Sequence, residues 1–173
     1  MTTKNSLYNQ LIGAWELVSY HAHLPTDPSN KMYPLGPYAR GTIMYTPDGH
    51  ISAQLLRPGQ SPFKGGDGIS SGTESEWADV GKNFVAYSGR FWLDETGGSK
   101  GEPLLLHEMS VSNLPKLVGQ VQRRTVNVEE GAGGVRYLNL GVERMLVKGE
   151  VRVVRVRWKR MNDNVGAKPP AKL

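Results

Sequence analysis

Hydrophobic and polar positions alternate with a period of two along much of this chain, in runs of about ten residues or fewer. Leu105, His107, Met109 and Val111 fall on one side of one such run, and Arg155, Arg157 and Lys159 on one side of another. Alternation of this kind predicts strands with one buried face. Eight or more are expected, over about Ile12–Ala22, Arg40–Thr46, Ile51–Arg57, Ala86–Asp94, Pro103–Ser112, Leu117–Val128, Val135–Gly141 and Val151–Arg160. Turn-forming residues separate them at the spacing of an antiparallel meander. The clearest hairpin is Tyr45-Thr46-Pro47-Asp48-Gly49-His50, where proline presets one dihedral, aspartate caps the turn and glycine takes the positive φ.

The period changes to helical once. Thr73-Glu74-Ser75-Glu76 has the pattern of a capping box, and Trp77, Val80, Gly81 and Phe84 then recur on one helical face. This predicts a single short helix near the opening of the folded sheet. The connections 57–72 and 24–39 are long and rich in turn formers, which suits either a lid or plain connectors.

The strand Leu11–Tyr20 carries Gly13-x-Trp15 at the start of the domain. Glycine allows a sharp bend, and the indole can plug one end of a closed sheet. With Trp15 inward, simple alternation also turns Leu17, Ser19 and His21 inward. The predicted fold is therefore all-β, an antiparallel up-and-down barrel of about eight or more strands with one closed and one open end. Barrels of this size hold small ligands. Residues 1–10 read as a polar lead, 11–160 as the barrel and 161–173 as a disordered tail.

Composition narrows the class. A chain of 173 residues can bury a core without staples, and the absence of cysteine excludes disulfides and thiolate chemistry. The polar first ten residues lack the apolar segment of a secretory signal, and no run approaches a membrane span, so a cytoplasmic location is expected. The ending Ala171-Lys172-Leu173 resembles the Ser-Lys-Leu peroxisomal address, which makes the peroxisome the alternative. Much of the net charge of +5 sits on the last strand and reads as a solvated outer face. No aromatic stacking motif accompanies it, so neither nucleic acid nor membrane is the expected partner. The expected partner is a hydrophobic small molecule, bound by a monomer or homodimer.

Several stretches together resemble the lipocalin-like domain family of bacteria and fungi, small calycin-type barrels. They are Leu11–Tyr20, Gly41–Leu55, Tyr87-Ser88-Gly89-Arg90-Phe91, His107 and Gly119–Arg124, with the turn followed by Ser52-Ala53-Gln54 the most specific. The resemblance spans about 11–160 and implies a barrel around an apolar cavity. Some similar proteins sit in natural-product pathways, where they shape a ring closure or isomerisation. One departure stands out. The family commonly shows Pro-Asn-Trp before the glycine of the sixth strand, and this chain has Leu114-Pro115-Lys116-Leu117-Val118-Gly119.

His107 is the polar member of an otherwise apolar strand face. It is either a core histidine satisfied by a neighbouring strand or a proton-transfer group at a cavity. Gln120, Gln122 and Arg124 share a face that is either outer and polar or inner and ligand-binding, and the resemblance favours Gln122 and Arg124 as pocket groups. Gln54 and Tyr45 follow by the same logic. Tyr87, Gly89 and Phe91 alternate with Ser88, Arg90 and Trp92, and either set can face inward, which makes Tyr87 a ligand-binding candidate. His21-x-His23 is a metal half-site with no carboxylate to complete it, so no metal is expected. Phosphate-cradling and nucleophile-elbow motifs are absent, and no cofactor is expected. Two functions follow. In one, the barrel directs a cofactor-free cyclisation or isomerisation in a natural-product pathway, with His107 moving a proton and Gln122 and Arg124 stabilising an oxyanion. In the other, it is a non-catalytic carrier or sensor with the same cavity.

Overall fold

The chain folds into α1 (Leu7–Leu11), β1 (Gly13–Leu24), β2 (Asp27–Met32), β3 (Arg40–Tyr45), β4 (His50–Leu56), α2 (Glu74–Asn83), β5 (Phe84–Asp94), β6 (Leu104–Glu108), β7 (Val111–Ser112), β8 (Val121–Glu130), β9 (Arg136–Val147) and β10 (Glu150–Arg160). The structure, a computed structural model, describes residues 6–65 and 71–169. The Ala171-Lys172-Leu173 ending lies outside the described residues.

The strands form one antiparallel sheet in the order β10-β9-β8-β6-β5-β4-β3-β1. Because β1 also pairs with β10, from Trp15↔Arg160 to His23↔Val153, the sheet closes into an eight-stranded barrel. β2 and β7 are additions to it. β2 pairs with β1 at Ala22↔Met32 and His23↔Lys31, beyond the point where β3 has left that edge. It lies within 24–39, where the sequence reading placed only a loop, because its Asp-Pro-Ser-Asn run consists of turn formers and contributes backbone pairing and, through Asn30, acceptors for Arg152 rather than apolar side chains.

Trp15 closes one end. It is fully buried, its Nε1–H donates to the Leu11 carbonyl at 2.8 Å, and the Arg160 guanidinium lies over its ring at 4.9 Å. Gly13 makes this possible. Its φ is +121°, and a side chain there would collide with the same guanidinium. Residues 7–11, expected to be part of a polar lead and the strand entry, form α1 instead. Leu11 is fully buried, and Tyr8 stacks on Phe91 at 5.4 Å. The core above the plug is solid and includes Ile43, Tyr45, Leu105, Leu138 and Trp158.

The hairpin of β3 and β4 turns as expected at Gly49, φ +88°, and Thr73 and Glu76 form the expected reciprocal cap on α2. α2 buries no residue. Trp77 is exposed and meets only Phe63 edge-on at 4.9 Å among the rings. The expected strand Pro103–Ser112 breaks after Glu108, so Val111 emerges exposed rather than joining His107 and Met109 inside. On the outer face of β10 Arg155 pairs with Glu143 at 2.9 Å and Arg157 with Glu129 at 2.5 Å. Arg157 also covers the Tyr137 ring at 4.1 Å.

Candidate functional site

Above the solid half of the core the barrel is not filled. A hollow of about 260 Å³ remains between the walls. Its apolar lining comes from Leu55 of β4, Val85 of β5, Leu140, Val142 and Met145 of β9, and Val154 and Val156 of β10, with Met109 after β6. Trp158 separates it from the plugged end. Leu114 and Leu117, around a 3-10 turn at Pro115–Leu117, cover another side. These two leucines supply apolar contact in the segment where the family commonly carries Pro-Asn-Trp.

Four polar side chains also line the hollow: Tyr20, Tyr87, Gln122 and Arg124. Cross-strand pairing explains three of them. Gln122 lies opposite His107 and Arg124 opposite Leu105, and residues directly opposite share a face. Both therefore follow the buried side of β6. Tyr87 lies opposite Ala53, which is fully buried, so the set Tyr87, Gly89 and Phe91 faces inward and Ser88, Arg90 and Trp92 face out. A side chain at Gly89 would meet the Glu108 carbonyl, so that inward position stays bare.

Tyr20 corrects the expected phase of β1. The register against β10 shifts between Leu17 and Ser19, so Val18 is the extra residue of a bulge. Beyond it Ser19 and His21 stand opposite Arg157 and Arg155, on the outer face, and Tyr20 and Ala22 take the interior. A strict alternation from Trp15 misses this, and the three consecutive residues Leu17-Val18-Ser19 give little sign of where the slip falls.

Tyr45 and His107 lie beneath the hollow rather than on it. His107 is fully buried and Tyr45 is 1% exposed. The Tyr45 hydroxyl and His107 Nε2 are hydrogen-bonded at 3.0 Å, and His107 Nδ1 has no partner. Burial holds the imidazole well below its usual range, and the nearby Arg124 charge adds to the effect. Burial also raises the Tyr45, Tyr87 and Tyr20 hydroxyls, with Arg124 pulling each of them the other way. All four groups are thus neutral near pH 7. Gln54 faces away from the cavity, which corrects its placement as a pocket group. Ala53 and Leu55 take the buried side of β4, leaving Gln54 outside with its amide on the Ser52 hydroxyl at 2.7 Å.

The buried histidine makes stability pH-dependent. In the unfolded chain His107 takes up a proton near its ordinary value of 6.5, and in the fold it does not. The unfolded state therefore binds more protons below that pH, and stability falls as pH drops through about 6.5. Urea unfolding at pH 5.5 is expected to cost about 1.4 kcal/mol more of stability, relative to pH 7.5, in the wild type than in His107→Asn. Equal pH dependence in the two proteins would remove His107 as the source.

A barrel closed by a tryptophan at one end and hollow at the other, with polar groups converging on the hollow, has the architecture of barrels that hold small molecules. The chain belongs to the lipocalin-like domain family, whose model matches residues 12–161. It is also 34% identical over 80 residues to a protein of Aspergillus oryzae named 4'-hydroxy-3'-methoxypropiophenone carrier protein, a match covering 46% of this chain and 71% of that relative. Among the described residues no helix is long and apolar enough to cross a membrane, and no cluster of three His, Asp or Glu is arranged to hold a metal ion.

Proposed function

We propose that this barrel is a carrier: it holds a small, hydrophobic, oxygenated molecule in its hollow and releases it unchanged. The observation that carries this reading is the composition of the lining. It is largely apolar, with polar groups from β1, β5 and β8 directed at one guest, yet among the described residues it contains no histidine, carboxylate or lysine to act as a base. Size supports a small guest, since pockets for drug-sized ligands start at about 300 Å³. A single ring with a short side chain is in scale. The carrier name of the Aspergillus oryzae relative, with its one-ring aromatic ketone, points the same way.

The test is equilibrium dialysis of the purified protein against small aromatic ketones, followed by recovery and mass analysis of the ligand. Saturable binding at one site per chain, with the compound recovered intact, is expected. Recovery of an isomer or a ring-closed product would replace the carrier by a catalyst.

That second reading, a cofactor-free cyclisation or isomerisation in a natural-product pathway, draws on the same lining. The walls would restrain one reactive conformer, and Arg124 and Gln122 would stabilise a developing oxyanion. His107 would move the proton. Its ring, however, lies below the lining, 6.1 Å from that of Tyr87, so a proton would have to pass the Tyr87 side chain. Incubating extracts of the native pathway with wild type, His107→Ala and Arg124→Ala separates the readings. Product ratios that change in either variant favour catalysis, and unchanged ratios favour the carrier.

A further inference from the structure

Taking the carrier reading as given, we infer that the guest is held as an oxyanion: the hollow selects the ionised form of a weakly acidic hydroxyl, such as an acyl- or nitro-activated phenol, through Arg124 with Tyr20 and Tyr87. The inference rests on which charges and hydrogens the hollow leaves unused.

Among the described residues Arg124 is the only charged one in the lining. Four arginines on other parts of the barrel are paired with acids, Arg90 with Glu108, Arg152 with Glu150, Arg155 with Glu143 and Arg157 with Glu129. Arg124 has none among the described residues, and its one hydrogen bond is from NH1 to the Arg123 carbonyl at 3.0 Å. A partly buried guanidinium without a counterion is an anion site waiting for its charge.

The neighbours agree. From β1 and β5 Tyr20 and Tyr87 line the hollow, their hydroxyls without a hydrogen-bond partner among the described residues, and the Arg124 charge acts on each of them. Trp158, from β10, is 2% exposed, and its Nε1–H is a buried donor with no partner. β9 contributes apolar side chains only, and from β6 the nearby titratable group is His107, neutral and tied to Tyr45. Among the described residues the hollow thus has a cation and two tyrosines in its lining beside a buried indole N–H, and nothing with a negative charge. Such a set favours a guest that accepts hydrogen bonds and carries charge.

The test uses 4-nitrophenol, whose phenolate absorbs at longer wavelength than its phenol, beside its methyl ether 4-nitroanisole, which cannot ionise. The proteins are wild type, Arg124→Met and Arg124→Lys. Wild type is expected to bind the phenol about 10- to 100-fold more tightly than the ether near neutral pH and to hold it with the phenolate spectrum. The bound phenol should ionise about one to two pH units below the free phenol. Arg124→Met should erase the preference and return the spectrum to that of the free compound at the same pH. Arg124→Lys should restore part of the preference.

Equal binding of phenol and ether, with a neutral spectrum, overturns the inference and leaves the carrier reading standing. A phenolate preference that survives Arg124→Met also overturns it. Failure of folded wild type to bind either compound counts against the carrier reading itself.

Discussion

Replacing Trp15 by alanine is expected to destabilise the barrel by about 3–5 kcal/mol. The indole is fully buried at the point where α1, β1, β3 and β10 meet, so the loss combines transfer and cavity terms. Two further losses accompany it. The Leu11 carbonyl loses its donor at 2.8 Å, and the Arg160 guanidinium loses the ring beneath it. For a chain of this size the corresponding fall in Tm is about 6–20 °C, readable by calorimetry. Trp77→Ala is the control. That indole is 43% exposed and packs on Phe63, so its removal should shift Tm by no more than a few degrees. Equal effects from the two substitutions would mean that Trp15 is not the plug.

Val156→Trp is expected to abolish guest binding, by at least about 100-fold, while leaving the fold intact. Val156 lies between Tyr20 of β1 and Leu140 of β9, and all three face the hollow. An indole there competes with the guest for the same 260 Å³. In a filled core such an enlargement costs about 1–3 kcal/mol, but here it enters unfilled space, and stability should stay level or rise. Val18→Trp, at the exposed bulge on the outside of β1, should bind as the wild type does. Dialysis with a saturating aromatic ketone reads the difference. Undiminished binding by a folded Val156→Trp protein would place the guest elsewhere.

Much of the architecture was legible because it depends on backbone chemistry that residue type reveals. All eight barrel strands overlap segments read as strands, with β9 running six residues past its expected end at Gly141, the Pro47-Asp48-Gly49 turn folds as its residues demand, and the capping box starts α2 at Thr73. The Gly13-x-Trp15 pair carried the closed end, since only glycine fits beneath Arg160 there. His107 was readable as inward because its neighbours Leu105 and Met109 are apolar.

What stayed hidden were slips of register. A one-residue bulge at Val18 turned Tyr20 in and His21 out, and alternation counts cannot see an extra residue. The phase of β5 was undecidable from composition, because large aromatics occupy both of its faces. It is set by pairing with Ala53. Gln54 was placed by analogy, and its own neighbours, both buried and apolar, argue for the outside. β2 lacks any hydrophobic signal because it buries almost nothing.

The four tryptophans of this chain provide the most direct test. Trp158 lines the hollow, Trp15 is sealed in the plug, and Trp77 and Trp92 are exposed outside. A two-dimensional NMR titration with a small aromatic ketone follows all four indole N–H signals at once. The Trp158 signal should move saturably with the guest, and the other three should hold still. A guest that saturates the protein while Trp158 stays fixed, or while Trp77 or Trp92 moves instead, would contradict binding inside the barrel.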